Sequence, residues 1–171
     1  MKVHLRIMSA LLSEMQTHLR LAHPIAHERV GFLACRGGRT ATGIALLPYC
    51  FLPVADGDYE RDPTVGARIS SEAIRKTMQY AYNHQADSIL FVHEHVGRGK
   101  PSPSRTDTDC WNDLIPAFWN ATRHLPHGGL ILSEDSAFGL VWVRKGEPPA
   151  LLTDVSAVGA TIRRLLTGGR A

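Results

Sequence analysis

Residues 91–107, "FVHEHVGRGKPSPSRTD", place two histidines one residue apart at the end of an apolar run, followed by a loop rich in Pro and Ser and then an aspartate. The run that leads in, "SILFV" at 88–92, reads as a buried strand. In a strand, residues i and i+2 project to one face, so His93 and His95 converge while Glu94 points away. Two readings are open. A catalytic zinc takes three protein ligands, often two His and one carboxylate, and leaves its fourth position to water; Asp107 supplies the third ligand if the loop folds back. Alternatively, Ser104 and Asp107 have the spacing of a capping box and simply open the next helix.

Working outward, the chain mixes strands and helices. "KVHLRIM" at 2–8 alternates as a half-buried strand, and "SALLSEMQTHLRLAH" at 9–23 has helical spacing of Leu12, Met15, Leu19 and Ala22, stopped by Pro24. "RVGFLACR" and "ATGIALLPYCFLPV" read as a hairpin turning at "GGRT", residues 37–40. Residues 55–68, "ADGDYERDPTVGAR", are a polar excursion from the sheet. A helix over 71–84 follows, capped by Ser70 or Ser71, with Ile74, Met78, Ala81 and Tyr82 on its apolar face. "TDTDCWNDLIPAFWNATRHL" is a helix bent at Pro116, with Trp111 and Phe118 turned to the core. "GGLILSE" and "FGLVWVRK" form a closing hairpin, and "SAVGATIRRLLTGG" is expected to be a last, fraying helix. Without strict βαβ alternation, the class is α+β: a mixed central β-sheet flanked by helices.

Bulk properties narrow the function classes. A chain of 171 residues, 44% hydrophobic and 20% charged, with net charge +3, fits one globular domain spanning 1–171, with a mobile tail from about 155. Its Lys and Arg are scattered, so no nucleic-acid stripe is marked. Nothing resembles a signal peptide or membrane span, and three cysteines form no metal-type pair. A soluble, cytoplasmic protein is expected. Of nine histidines, His4, His18, His23, His84, His124 and His127 read as incidental. The "GRGK" at 97–100 lacks Walker spacing and is not a phosphate loop.

A further carboxylate completes a constellation. Glu28 stands just before "VGFL", a strand expected in the same sheet as "SILFVHEH", and there it can exchange protons with a metal-activated water and a leaving amine without binding metal. A Glu ahead of "VGFL", a buried strand ending His-x-His, and a Pro-Ser-x-x-Asp segment together resemble the JAB/MPN metallopeptidase family and its JAMM motif, over roughly residues 3 to 145.

The resemblance implies a JAB/MPN-like (cytidine-deaminase-like) architecture and one Zn2+ per chain, with His93, His95 and Asp107 as ligands. It makes Glu28 the general acid/base and Ser104 the group that polarises the scissile carbonyl or holds its oxyanion. It further implies cleavage of a peptide or isopeptide bond after the tail of a ubiquitin-like protein, alongside E1-like and E2-like enzymes, in a bacterial conjugation or antiviral pathway. Tyr59, Arg61, Arg68, Arg98 and Lys100, on the two loops, are the expected substrate-binding residues. The sequence departs from the family pattern at Glu94, at Val96 in place of proline, and in a loop to Ser104 that is one residue longer. A sulfur-carrier-processing or small-amide zinc hydrolase, and a non-catalytic scaffold of the same type, are the alternatives. The C-terminal "LLTGGRA" resembles a ubiquitin-type tail but is read as a loose end.

Overall fold

A computed structural model describes residues 2–122 and 124–167. It is α+β, with three α-helices among the described residues and a nine-stranded mixed sheet. β1 (Lys2–Met8) buries Val3, Leu5 and Ile7 by simple alternation. β2 (Val30–Thr40) and β3 (Gly43–Pro53) form the expected hairpin, but pairing continues to Thr40↔Gly43, so the turn falls at Ala41 and Thr42 and not in "GGRT". β6 (Ser88–Glu94) pairs antiparallel with β2 and parallel with β7 (His127–Leu132), which turns back into β8 (Ser136–Trp142). The excursion at 55–68 carries a two-stranded ribbon of its own, β4 (Tyr59–Glu60) with β5 (Arg68–Ile69).

The sheet has an apolar layer on each face. On one side α1 (Ser9–Leu19) buries Leu12, Met15 and Leu19 against Leu5, Leu33, Leu90 and Val92. On the other, α2 (Ser71–Asn83) and α3 (Arg105–Phe118) cover Phe32 and Phe91, with Trp111 and Phe118 fully buried. Each helix is shorter than the sequence pattern predicts. α1 stops at Leu19 because His23 Nδ1 then accepts the amides of Ile25 and Ala26, while Arg29 gathers the carbonyls of Leu21 and Ala22. α3 ends at Phe118, two residues after Pro116, which has no amide proton to donate into the last turn. In α2 the buried positions are Ala73, Thr77 and Ala81, and Tyr82 stands in solvent, 69% exposed. No helix among the described residues is long and apolar enough to cross a membrane.

The expected C-terminal helix is replaced by strands, which occupy much of the segment from 154 to 167. β10 (Asp154–Val158) adds parallel to β1, burying Val155 and Ala157, and β11 (Ile162–Thr167) folds back on β10. The open edge of β1 overrides local helical spacing: Thr153 donates its amide to the Val3 carbonyl and the strand continues from there. β11 also pairs with β8, through Leu166↔Ser136 and Thr167↔Ala137, so the sheet closes upon itself, with β9 (Ala150–Leu151) paired to β8 alone. The final residues of "LLTGGRA", 168–171, lie outside the described residues.

His127 is not incidental. Fully buried at the start of β7, it accepts the Ile89 amide at Nδ1 (3.0 Å) and lies 3.0 Å from the Thr122 carbonyl at Nε2, so the Nε2 proton is the one donated. Burial pushes its pKa down to about 4, against the opposing pull of the Thr122 hydrogen bond. The folded state therefore holds a neutral ring that the unfolded chain protonates near pH 6.5. Stability is intact above that pH and falls as the pH drops toward about 4, by on the order of 2–3 kcal/mol between pH 7 and 4.5. Urea denaturation at both pH values, on native protein and His127→Gln, checks this: the native chain loses more stability on acidification, and equal losses would rule His127 out as the cause.

Candidate functional site

The β2–β6 register builds the site. Val30 pairs with His93, so extending the same register two residues back sets Glu28 opposite His95. Strand alternation turns Glu94 to the far face, where its carboxylate, 5% exposed, meets Arg20 at 2.6 and 2.9 Å and Gln16 at 3.3 Å on the α1 side. Glu94 is thus a buttress between β6 and α1, which accounts for a charged residue between the two histidines.

His93 and His95 point together. Their Nε2 atoms are 3.2 Å apart, and Asp107 brings Oδ1 to 3.3 Å from His93 Nε2 and Oδ2 to 3.9 Å from His95 Nε2. Glu28, His93 and His95 each offer a ligand atom within 4.8 Å of the others. Two imidazole nitrogens and a carboxylate crowded this closely are a donor set able to hold a metal ion. Burial pushes the His93 pKa down, outweighing the upward pull of Asp107, so this imidazole is neutral and keeps a lone pair for a cation. Its Nδ1 is buried with no hydrogen-bond partner among the described residues.

Burial, with the Asp107 charge as a smaller contribution, raises the Glu28 carboxyl to about 7. A carboxyl poised there takes up and releases protons near neutrality. By contrast, Asp109 points away, 67% exposed and 3.7 Å from Arg105, which leaves Asp107 as the carboxylate beside the histidines.

The helix cap and the site coincide. Ser104 Oγ accepts the Asp107 amide (3.1 Å) and Asp107 Oδ2 accepts the Ser104 amide (2.7 Å), a complete capping box at the start of α3. The Asp107 carboxylate therefore fastens the helix with one oxygen while the other faces His93. The capping box forms as the spacing predicts, and the same carboxylate also stands beside the two histidines.

The loop from 96 to 103 is held without entering the site. Gly97 and Gly99 adopt positive φ (110° and 93°), and the loop is tied to the β7–β8 turn by Glu134 N–H to Gly97 O (3.0 Å), Gly99 N–H to Asp135 (2.7 Å) and Ser133 Oγ to Gly99 O (2.7 Å). Val96, at the start of this loop, is fully exposed.

Glu28, His93, His95, Ser104 and Asp107 line one groove of about 330 Å³. The five expected substrate-binding residues do not line it. Tyr59 is buried, its hydroxyl spanning the Val30 amide (2.9 Å) and carbonyl (3.3 Å), and so it is a structural support. Arg68 is ion-paired with Asp62 and Glu60, and Arg98 with Asp135. Lys100 sits exposed in the tied loop. Arg61 borders an adjoining hollow that shares His27 and Pro63 with the groove. The wall formed by residues 63–67 belongs to the 55–68 excursion, and what the sequence reading missed is that His27, Phe91 and Cys110 line the groove with it. A larger hollow of about 460 Å³, near the start of β6, is bounded by Arg39, Trp119, His124 and Arg144 and lined by no carboxylate, so it lacks a comparable donor set.

No protein-family model matches the chain, and no curated protein sequence matches it.

Proposed function

We propose that the chain is a zinc-dependent hydrolase of the JAB/MPN type, cleaving the peptide or isopeptide bond that follows the C-terminal tail of a ubiquitin-like protein in the cytoplasm. The observation that carries this reading is the convergence of His93, His95 and Asp107: the two Nε2 atoms stand 3.2 Å apart, with Asp107 Oδ1 3.3 Å from that of His93 and Oδ2 3.9 Å from that of His95. Ligands at about 2.0–2.1 Å from a tetrahedral zinc stand roughly 3.4 Å from one another. The side chains thus fit the ion, with one position left over.

When bound, zinc supplies Lewis acidity and lowers the pKa of a water at the site toward about 7. Glu28, across the groove and close to neutrality, takes the proton from the attacking water and delivers it to the departing amine. Ser104 Oγ is an acceptor for the Asp107 amide, which leaves its own proton to donate to the carbonyl oxygen as negative charge develops there. His93, held 1% exposed in a fully paired strand, fixes the geometry, while His95, 36% exposed, lies on the open side where substrate enters.

Strand order bears on how a tail would lie. β6 is hydrogen-bonded on both sides, to β2 and β7, so an extended peptide cannot add to its edge. The tail is placed instead along the wall at 63–67, which lines the groove together with Glu28 and the two histidines. E1-like and E2-like conjugation enzymes are the proposed partners.

Elemental mass spectrometry of the purified chain, beside a His93→Ala, His95→Ala variant, tests the proposal together with cleavage of ubiquitin-like fusions. Near-stoichiometric zinc that disappears in the variant is expected, with cleavage lost in parallel. A native chain that takes up no zinc after loading would overturn the hydrolase in favour of a binding scaffold.

A further inference from the structure

We infer that the loop at 62–67 sets the placement of Glu28 and that Gly66 is its positioning residue, required to be glycine by the Glu28 side chain itself. In its consequence for turnover this rests on the hydrolase reading above; in its geometry it does not.

Glu28 lies outside the paired part of β2, since the ladder with β6 begins at Val30↔His93. What holds its backbone is a single carbonyl: Gly66 O accepts the amides of both His27 (2.8 Å) and Glu28 (3.1 Å). The same residue also limits the side chain. A Cβ on Gly66 would fall 2.1 Å from Glu28 Oε1, 2.6 Å from Cδ and 3.1 Å from Cγ. Gly66 does not have a left-handed φ, so a side chain there would act by displacing the carboxyl end of Glu28 and not by straining the backbone.

The loop is stiff enough to impose this. Asp62 receives the Thr64 amide (3.0 Å), the Thr64 hydroxyl (2.6 Å) and Arg68 Nη1 (2.9 Å). At its base, Ser70 N–H bonds Asp58 O (2.8 Å), and Tyr59 is tied to Val30. A carboxylate ahead of the strand is thus pressed between a braced loop and the two histidines.

The test is a double-mutant cycle on the full chain: Gly66→Ala, Glu28→Asp and the pair, with kcat, KM and zinc content on a ubiquitin-like fusion. Gly66→Ala should keep its zinc, hold KM within roughly threefold and lower kcat about 10- to 100-fold, the scale of an ångström-sized displacement. Aspartate is one methylene shorter and makes room, so adding Gly66→Ala to Glu28→Asp should cost less than about twofold. Equal losses in both backgrounds would overturn the inference.

A second cycle needs no activity. Gly66→Ala should lower the urea midpoint of the native chain but not that of Glu28→Ala, where the clashing carboxylate is gone. The same drop in both backgrounds overturns the contact. Should Gly66→Ala fail to fold, recovery of a folded chain in Gly66→Ala, Glu28→Ala supports the inference, and failure of that pair defeats it. If the chain neither binds zinc nor cleaves, the hydrolase reading falls while the urea cycle still decides the contact.

Discussion

Glu28→Gln keeps its zinc and loses turnover, with kcat reduced about 10²- to 10⁴-fold. Glutamine matches glutamate in shape, so it fills the same space beside Gly66 and leaves the groove wall in place. What it removes is the carboxylate that accepts a proton and gives it up again, and with it the transfer from water to leaving amine. The competing possibility is that Glu28 is itself a ligand, since one of its oxygens lies within 4.8 Å of both imidazole nitrogens. Asp107 is closer, at 3.3 and 3.9 Å. Zinc assay and single-turnover kinetics on one preparation separate the roles. Zinc lost in step with activity would make Glu28 a ligand, and full activity would end its assignment as acid/base.

The second large effect belongs to Asp107, which caps α3 and is proposed to bind the metal, two roles that two substitutions pull apart. Asp107→Asn keeps an oxygen to accept the Ser104 amide, so the cap of α3 survives and the metal-free variant stays within about 0.5 kcal/mol of native stability. Asp107→Ala loses the cap as well and drops by about 1 kcal/mol. Both remove the anionic ligand. Loss of an outer-shell partner alone costs roughly 10- to 100-fold in metal affinity, and each variant should lose more than that. Competition with a chromogenic chelator gives the affinity and urea denaturation of the apo forms gives the cap. Zinc affinity unchanged in Asp107→Asn would mean that this aspartate is only a helix cap.

Much of this arrangement was legible because neighbouring strands are neighbours in sequence pattern as well. The apolar runs of β2 and β6 are buried on both faces, and once they lie side by side Glu28 must face the His-x-His end. Ser-x-x-Asp gave Asp107 by capping geometry alone. Where the expected substrate-binding residues lie was not legible, because charge in a loop does not show where it is spent: Arg68 and Arg98 pair with Asp62 and Asp135, and the Tyr59 hydroxyl with Val30. Gly66 carried no signal, since a glycine's neighbours are invisible in the chain. The last two strands escaped for a different reason. Ile162, Arg163 and Arg164 are exposed, so β11 shows no alternation, and its pairing is decided by β10 and β8.

The closing of the sheet sets an order of events at synthesis. β1 is flanked by β3, made soon after it, and by β10, whose lead residue Thr153 meets Val3 across 150 positions of chain. Until β10 and β11 emerge from the ribosome, β1 and β8 each present an unsatisfied row of amides and carbonyls to whatever lies nearby. Closure of the sheet therefore waits for its last two strands, and the chain is most open to edge-to-edge association before they pair.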